Sequence, residues 1–502
     1  MKQHLKILLP FFLFFIALIF FVSNNFFFWD TINLVSAPAH FFYKSNFTSL
    51  ILPTEIDTGH IPTLGYYIAL VWKVFGKNLV VSHLAMLPFV LGIVFQVFLL
   101  VKHFVSSPNF LVWAMMLILS DATLLSQMVL ISPDIVLLFF FLLGLNAIIS
   151  QKRNFLLLAL FGLFLISMRG IVAAFALFLI DLVLTNKRTN FISTFILKLN
   201  SFSGEKIISL SYTRNKIVTI FRKFIWLRYI KIAIVYFLPF LLFVAFHFYH
   251  YIKTGWFWTY PDSAWEIGRA KNNFGGLFYN AGIFVWRLVD FGRVFIVVSL
   301  AILLLKFRKQ LFENSKTKHL LLIFCIVGIV LSIPFLYYKT LTGHRYALPF
   351  ILIISLITAY LISHLPHSDK LKKIVFVVLI FGSLSGNFWV YPDKIAQGWD
   401  STLGHIPYYS LQQKMNSYLN ENQITFSEVG TAFPMLGKHS VIFVNNDTRS
   451  FKPKEVGKDT YILYSNVNND FSDAELSKLT TEYKLVYELK SSTVFISLYK
   501  IK

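Results

Sequence analysis

Apolar positions along this chain fall mainly in long, nearly unbroken runs instead of the one-sided spacing of helices in a water-soluble fold. A bilayer crossing needs roughly 20 such residues. On that rule the sequence predicts about eleven spans, near 5–23, 81–102, 110–127, 133–150, 154–168, 171–185, 231–250, 283–305, 319–338, 345–364 and 373–391. The fifth and sixth are short, and a pair of half-buried helices packed on other spans is the alternative reading there. "HIPTLGYYIALVWKVFG" at 60–76 is amphipathic and carries Tyr and Trp, which suits a helix lying along the interface. After 391 the pattern changes. A helical stretch, "PYYSLQQKMNSYLNEN", precedes the short alternating runs "SVIFV", "TYILYS", "YKLVYEL" and "STVFISLYK". The expectation is therefore a mainly α, polytopic membrane domain over 1–391 and a small α/β domain outside the membrane over 392–502.

Composition agrees, with 56% hydrophobic and only 14% charged residues, against roughly 25% charged in a soluble domain. The net charge of +22 would suggest a nucleic-acid partner, but its placement excludes that reading. Residues 392–502 hold 12 basic and 12 acidic side chains, so the whole excess lies in short clusters between the apolar runs. Such clusters mark cytoplasmic loops. They include Lys2 and Lys6, Lys102, Lys152 and Arg153, the segment 186–231 with ten basic residues, residues 306–318, and Lys370, Lys372 and Lys373. The N-terminus is then cytoplasmic on an uncleaved first span. The outer face receives 24–80, 251–282 and everything after 391; the style of the sequence, and not its topology, suggests an inner membrane of bacterial type. The single cysteine, Cys325, provides neither a disulfide framework nor a thiolate metal site.

Acids are scarce before residue 392, and Asp30, Glu55, Asp57, Asp134, Asp262 and Glu266 gather at the expected outer face. A carboxylate there is suited to drawing a proton from an acceptor hydroxyl; a solvated loop residue or a helix cap is the bland alternative for any one of them. Asp30 is the most constrained, between "FFFW" and "TINLV", although aromatics there are also the ordinary interfacial belt. Asp134 follows Pro133 at the start of a span, where active-site and helix-dipole readings are equally open. Outer cations are Lys44, Lys253, Arg269, Lys271, Lys339 and Arg345. Arg169 stands between two apolar runs, a placement that points to function, with snorkelling as the alternative. Asp290 lies three residues from both Arg287 and Arg293, so mutual pairing is expected. The outer histidines His40, His60, His344 and His405 fit no metal-site spacing. The aromatics of 391–409 either anchor the interface or line an acceptor entrance, and anchoring is favoured.

The order of these features resembles the integral-membrane GT-C glycosyltransferases, specifically the protein O-mannosyltransferase and aminoarabinose transferase group (family 39). The residues that carry it are Asp30 after the first span, "DTGHIPTLGYYIALVWKVFG" at 57–76, "SPDIVLLFFF" at 132–141, "SMRG" at 167–170 and "GHRYALPF" at 343–350. The resemblance spans roughly residues 1–390. It implies transfer of a sugar from a polyprenyl-phosphate donor at the outer face, with inversion, to a protein, lipid or polysaccharide acceptor. It also implies Asp30 as general base and Asp134 as a second carboxylate, with Arg345, Arg169 and Lys44 holding the lipid phosphate. Asp57, Glu55, His60, Glu266 and Arg269 would be acceptor or sugar contacts. Two departures stand out: Thr31 replaces the second acid of the family's Asp-Glu, and His60-Ile61-Pro62 replaces His-Pro-Pro. The first leaves acceptor type and divalent-metal use open; no cofactor is indicated. The rival classes are a multi-pass transporter or flippase for a lipid-linked sugar and a catalytically silent relative whose tail binds a partner. A transporter should place ionisable residues mid-span or in broken helices.

Overall fold

Lys2 opens α1 (Lys2–Val22), whose apolar run ends at Ser23, where the hydroxyl caps the Phe20 carbonyl. The computed structural model describes residues 2–105, 107–201, 210–311, 314–392, 395, 397–468 and 470–502. Of these, 2–3, 186–201, 210–229, 231, 264, 267, 269 and 307–311 are described by backbone alone, so the side chains of the basic segment 186–229 lie outside the described residues.

Next come α2 (Ala37–Lys44), α3 (Thr63–Phe75), α4 (Leu79–Leu84), α5 (Leu87–Phe104), α6 (Pro108–Leu119), α7 (Ala122–Val129), α8 (Pro133–Ser150), α9 (Arg153–Ile166) and α10 (Met168–Ser201). Then follow α11 (Leu210–Thr254), α12 (Phe274–Val289), α13 (Val294–Leu311), α14 (Ser315–Tyr337), α15 (Leu348–Ser363) and α16 (Asp369–Ser385). Eight helical stretches among the described residues are long and apolar enough to cross a membrane: His4–Val22, Leu79–Phe104, Pro133–Ser150, Met168–Thr185, Ile232–Thr254, Ser315–Tyr337, His344–Ser363 and Asp369–Phe388. Counting each of two bent pairs as one span gives up to ten, where eleven were expected. The difference has local causes. The run 154–168 is the short helix α9, packed against α8 and α10. The runs 110–127 and 283–305 are broken, by 69° between α6 and α7 and by 95° between α12 and α13.

Each break is written in polar side chains and backbone. Asp121 caps α7 by accepting from the Leu124 amide at 2.9 Å, which ends the preceding helix. At the second break Asp290 leaves the helix, and Phe291 and Gly292 take positive φ of 49° and 81°. A Cβ on Gly292 would lie 2.0 Å from the Gly382 carbonyl oxygen, so only glycine fits this contact with α16. Arg293 then reaches across to Asp121, Nε to Oδ2 at 2.7 Å and Nη2 to Oδ1 at 3.1 Å. The pairing expected of Asp290 with both neighbours is thus corrected. Arg287 keeps an ion pair at 3.6 Å, but the kink turns Arg293 away to Asp121.

α3, at 13 residues too short to span, buries Leu64, Ile68, Ala69 and Trp72 on one face and exposes Leu70, Val74 and Phe75. Beyond the spans lies a five-stranded sheet, β1 (Val429–Thr431), β2 (Lys452–Pro453), β3 (Tyr461–Ser465), β4 (Tyr483–Ser491) and β5 (Val494–Ile501), in the order β2-β1-β3-β5-β4. β2, β1 and β3 pair in parallel, and β5 runs antiparallel to both β3 and β4. Three helices accompany it, α17 (Ile406–Glu421), α18 (His439–Ile442) and α19 (Asp473–Thr481), the last closed by a Ser472/Glu475 capping box. "SVIFV" was expected as a strand; it mostly forms α18, whose backbone carbonyls at 441 and 442 accept from the first loop and not from a neighbouring strand.

That contact joins the domain to the spans. Phe27 donates its amide to the Ile442 carbonyl at 3.0 Å, and the Ser36 hydroxyl donates to the Val441 carbonyl at 2.6 Å. Phe26 and Phe28 pack on Tyr408 and Tyr409, and Trp29 meets Phe433 edge-on. Burying each such ring stabilises the seam by roughly 1.5–3 kcal/mol. The aromatics of 391–409 do not form an interfacial anchor: Trp399, Tyr408 and Tyr409 are buried, and the Trp399 indole donates to the Asn466 carbonyl. His405 sits in the same seam, its Nδ1–H donating to the Thr402 carbonyl at 2.6 Å, and burial pushes its pKa down to about 4. Between roughly pH 6.5 and 4 the unfolded chain therefore binds a proton that the folded chain refuses, so stability falls as pH drops through that window. The melting temperature in detergent is expected to be lower at pH 5 than at pH 7.5, with His405 supplying about 2 kcal/mol of the loss. Melting of His405→Gln at both values checks this, since that variant should show a smaller difference.

Candidate functional site

Each member of the central constellation is held by a local device. Asp30 follows Trp29, whose φ is 58°, and precedes a π-helical turn, Ile32–Ser36. The Thr31 hydroxyl donates to the Phe28 carbonyl at 2.7 Å and accepts from the Phe28 amide at 3.1 Å, closing the turn that carries Asp30. Asp134 is the second residue of α8, where Ser132 caps its amide at 3.1 Å and Pro133 presets the backbone. Arg169 is the second residue of α10, whose first residue, Met168, follows the extended residue Ser167. The turn demands glycine next, since a Cβ on Gly170 would meet the Leu163 carbonyl oxygen at 1.7 Å. Arg345 lies in the 3-10 turn His344–Ala347 that leads into α15.

These elements converge on one guanidinium. Arg345 donates Nη2 to Asp30 Oδ2 and Nη1 to Asp400 Oδ2, and its Nε lies 3.3 Å from Asp134 Oδ2. Arg169 Nη1 donates to the other Asp134 oxygen. Both guanidiniums lie over the Tyr346 ring, 4.2 Å (Arg169) and 5.1 Å (Arg345) from its centroid, and Arg345 Nη2 donates to its hydroxyl at 3.1 Å. Three carboxylates face two arginines. Burial raises the Asp400 pKa, Asp30 and Asp134 push the same way, and Arg345 opposes them. Side-chain exposure separates the members: 5% for Asp134, 6% for Asp400 and 11% for Arg345, against 24% for Asp30 and 20% for Arg169. Asp30 and Arg169 are therefore the members that a bound molecule reaches.

Two clefts meet at Arg169. One is walled by Val172, Leu331, Pro334, Phe335, Leu341 and Tyr346 and is apolar except at the arginine end. The other contains His60, Ser167, Pro133, Leu34, Ile61 and Leu64. A cation at the junction of an apolar groove and a second groove suits a molecule with a charged head and a greasy tail.

Behind Arg345 lies a second polar group. His344 Nε2 is 2.7 Å from Asp290 Oδ2, the same oxygen accepts from the Tyr391 hydroxyl, and Asp290 Oδ1 accepts from the Phe291 amide at 2.9 Å. Burial first, then the Asp290 bond, pushes the Tyr391 pKa up, which keeps the hydroxyl a donor. This network fixes the turn from which Arg345 projects.

The other expected residues lie apart. Asp57 is buried, accepting from the Gly59 amide at 2.8 Å and facing His250 Nε2 at 2.8 Å, which ties the first long loop to the end of α11. Glu55 is exposed on the 3-10 turn Thr54–Ile56, and Glu266 accepts from the Thr259 hydroxyl. His60 lines the second cleft. Lys44 is exposed in the last turn of α2, and no described contact links it to Arg345. The Arg269 side chain lies outside the described residues. Among the described residues no group of three or more His, Cys, Asp or Glu is placed to hold a metal ion. Sequence reading passed over Asp121 and Asp400. The available signal for Asp400 was a lone acid in "GWDST", after a glycine that adopts φ 66°.

No protein-family model matches this sequence, and no curated protein matches it. Solved structures found to be similar include ArnT from Cupriavidus metallidurans bound to undecaprenyl phosphate, with TM-score 0.49 and 10% identity over 97% of this chain and 98% of that chain. ArnT from the same organism in the apo state gives TM-score 0.48 and 9% identity over 98% of this chain and 97% of that chain.

Removing the shared cation strands Asp30 and Asp400 and leaves Asp134 with Arg169 alone. Arg345→Met is expected to cost roughly 3–5 kcal/mol of stability, and Arg169→Met, with one carboxylate partner, distinctly less; thermal or denaturant unfolding in detergent measures both.

Proposed function

We propose that this protein is a membrane glycosyltransferase that moves a sugar from a polyprenyl-phosphate donor to a protein, lipid or polysaccharide acceptor at the outer face of an inner membrane. The observation that supports this best is a reachable cation, Arg169, at the head of an apolar cleft, joined through Asp134 and Arg345 to a reachable carboxylate, Asp30. The prenyl chain lies in the cleft walled by Leu331, Pro334 and Phe335, with its phosphate against Arg169. The acceptor enters past His60 and Ser167. Asp30 takes the acceptor proton as its oxygen or nitrogen attacks the anomeric carbon. The bond from that carbon to the phosphate oxygen breaks, its electron pair stays on the phosphate, and the configuration inverts. Phosphate leaves as a stable anion, so base and cation carry most of the burden.

The geometry divides the cations differently from a simple clamp. Arg345 is engaged by Asp30, Asp134 and Asp400, so its part is to hold Asp30. Arg169, with its one described carboxylate partner, has donors left for phosphate. Lys44 and the group Asp57, Glu55, Glu266 and Arg269 take no step in this reading.

The transport reading gains one observation, the Asp121–Arg293 pair at two helix breaks. That pair is buried and mutually bonded in two places, and neither cleft includes it, which fits a lock better than an ion path. Asp30→Asn is expected to lower transfer of radiolabelled sugar from a prenyl-phosphate donor in membranes by about 100- to 10,000-fold. Full activity in that variant would sink the base assignment, and label that crosses the membrane without changing carrier would favour transport.

The N-terminus is taken as cytoplasmic and the α/β domain as external. With Cys325 replaced, a cysteine from Ser477→Cys should react with an impermeant maleimide on intact spheroplasts. One from Ser203→Cys should react only after lysis; the reverse pattern would invert the topology.

A further inference from the structure

Asp400 belongs to the segment that leaves the spans for the α/β domain, yet its carboxylate reaches the centre of the site. We propose that Asp400 is a positioning residue for the transfer reaction: by occupying Nη1 of Arg345 it holds the guanidinium in the plane that fixes Asp30 through Nη2, which makes the C-terminal domain a working part of the reaction centre. The inference rests on the transferase reading above.

A guanidinium is planar, and its directions are fixed once two of its edges are engaged. On Arg345 the Nε approach to Asp134 at 3.3 Å carries no hydrogen bond, so the two engaged positions are Nη1 on Asp400 and Nη2 on Asp30. Without Asp400 the group is free to turn about its side chain and offer Nη1 to Asp30 instead, moving the carboxylate relative to an acceptor. A misplacement of about 1 Å costs on the order of 100-fold in rate.

Asp400 is itself held from both directions. On the bundle side, its carbonyl accepts from the Ser126 hydroxyl at 2.7 Å and the Gln127 amide at 2.9 Å. On the domain side, Trp399 next to it donates its indole N–H to the Asn466 carbonyl at 2.8 Å. The position of the whole domain is therefore transmitted to one carboxylate through adjacent residues. Charge compensation does not require this carboxylate, since Asp30 and Asp134 already balance Arg345 and Arg169. Keeping a third acid beside Asp30 and Asp134 is what a positioning role requires and what stability alone does not.

The test compares Asp400→Ala and Asp400→Asn in the full-length protein, with radiolabelled sugar transfer from a prenyl-phosphate donor normalised to folded enzyme. Asp400→Ala is expected to lower kcat about 100-fold with the donor KM changed by less than about threefold. Asp400→Asn should recover part of the loss, because its amide oxygen still accepts from Nη1. Combining Asp400→Ala with Asp30→Asn should be little worse than Asp30→Asn alone. Wild-type kcat in folded Asp400→Ala, an equal loss in the Asn variant, or a fully additive double variant would overturn the inference. If Asp400→Ala fails to fold, Gln127→Leu, which removes the amide clamp on the Asp400 carbonyl, should lower kcat several-fold at constant KM, and an unchanged kcat would overturn it. The parent reading fails separately, through absence of transfer by the wild-type protein.

Discussion

One guanidinium, that of Arg345 with 11% of its side chain exposed, organises this protein. Arg345 takes carboxylates from positions 30, 134 and 400, which lie after the first span, at the head of α8 and at the entry to the α/β domain. Such charges are tolerable away from water only when every partner is in place, so docking of the first loop, the spans and the domain become conditions of one another. The aromatic seam of Phe26, Phe27 and Phe28 against Tyr408, Tyr409 and Ile442 supplies apolar area for the same joint. Apolar burial brings the pieces together; the arginine sets their registration.

The same economy appears one layer deeper. Two helices break, and polar side chains freed by the breaks bond across them: Asp121 to Arg293, and Asp290 to His344 and Tyr391. Breaks of this kind survive among apolar helices only where neighbouring groups satisfy the released polar atoms. Here they buttress the turn His344–Ala347, so the strain of the broken helices and the aim of Arg345 belong to one network.

Much of this was legible in the chain because acids are rare in it. Asp30, Asp134, Arg169 and Arg345 stood out as charges beside apolar runs, and the structure brings those four together. Asp400 did not stand out, because it lies where acids and bases are balanced and a lone Asp in a linker resembles any solvated residue. Hydropathy summed over 110–127 and 283–305 hid the breaks, since one Asp or one Phe-Gly pair barely changes an average that spans a whole run. Thr31 read as a missing acid; its hydroxyl bonds show a turn lock, a function visible only once Phe28 is placed beside it. The tail strands were readable from alternation except at "SVIFV", where contact with the first loop overrides propensity.

In the proposed mechanism two arginines divide the labour, one holding a carboxylate and the other holding the phosphate of a lipid carrier. Thermal stabilisation of the detergent-solubilised protein by undecaprenyl phosphate, which carries no sugar and so isolates phosphate binding from catalysis, measures it directly. Saturable stabilisation that is lost in Arg169→Met and retained in Asp30→Asn is the result this account predicts. Stabilisation undiminished in Arg169→Met would contradict it.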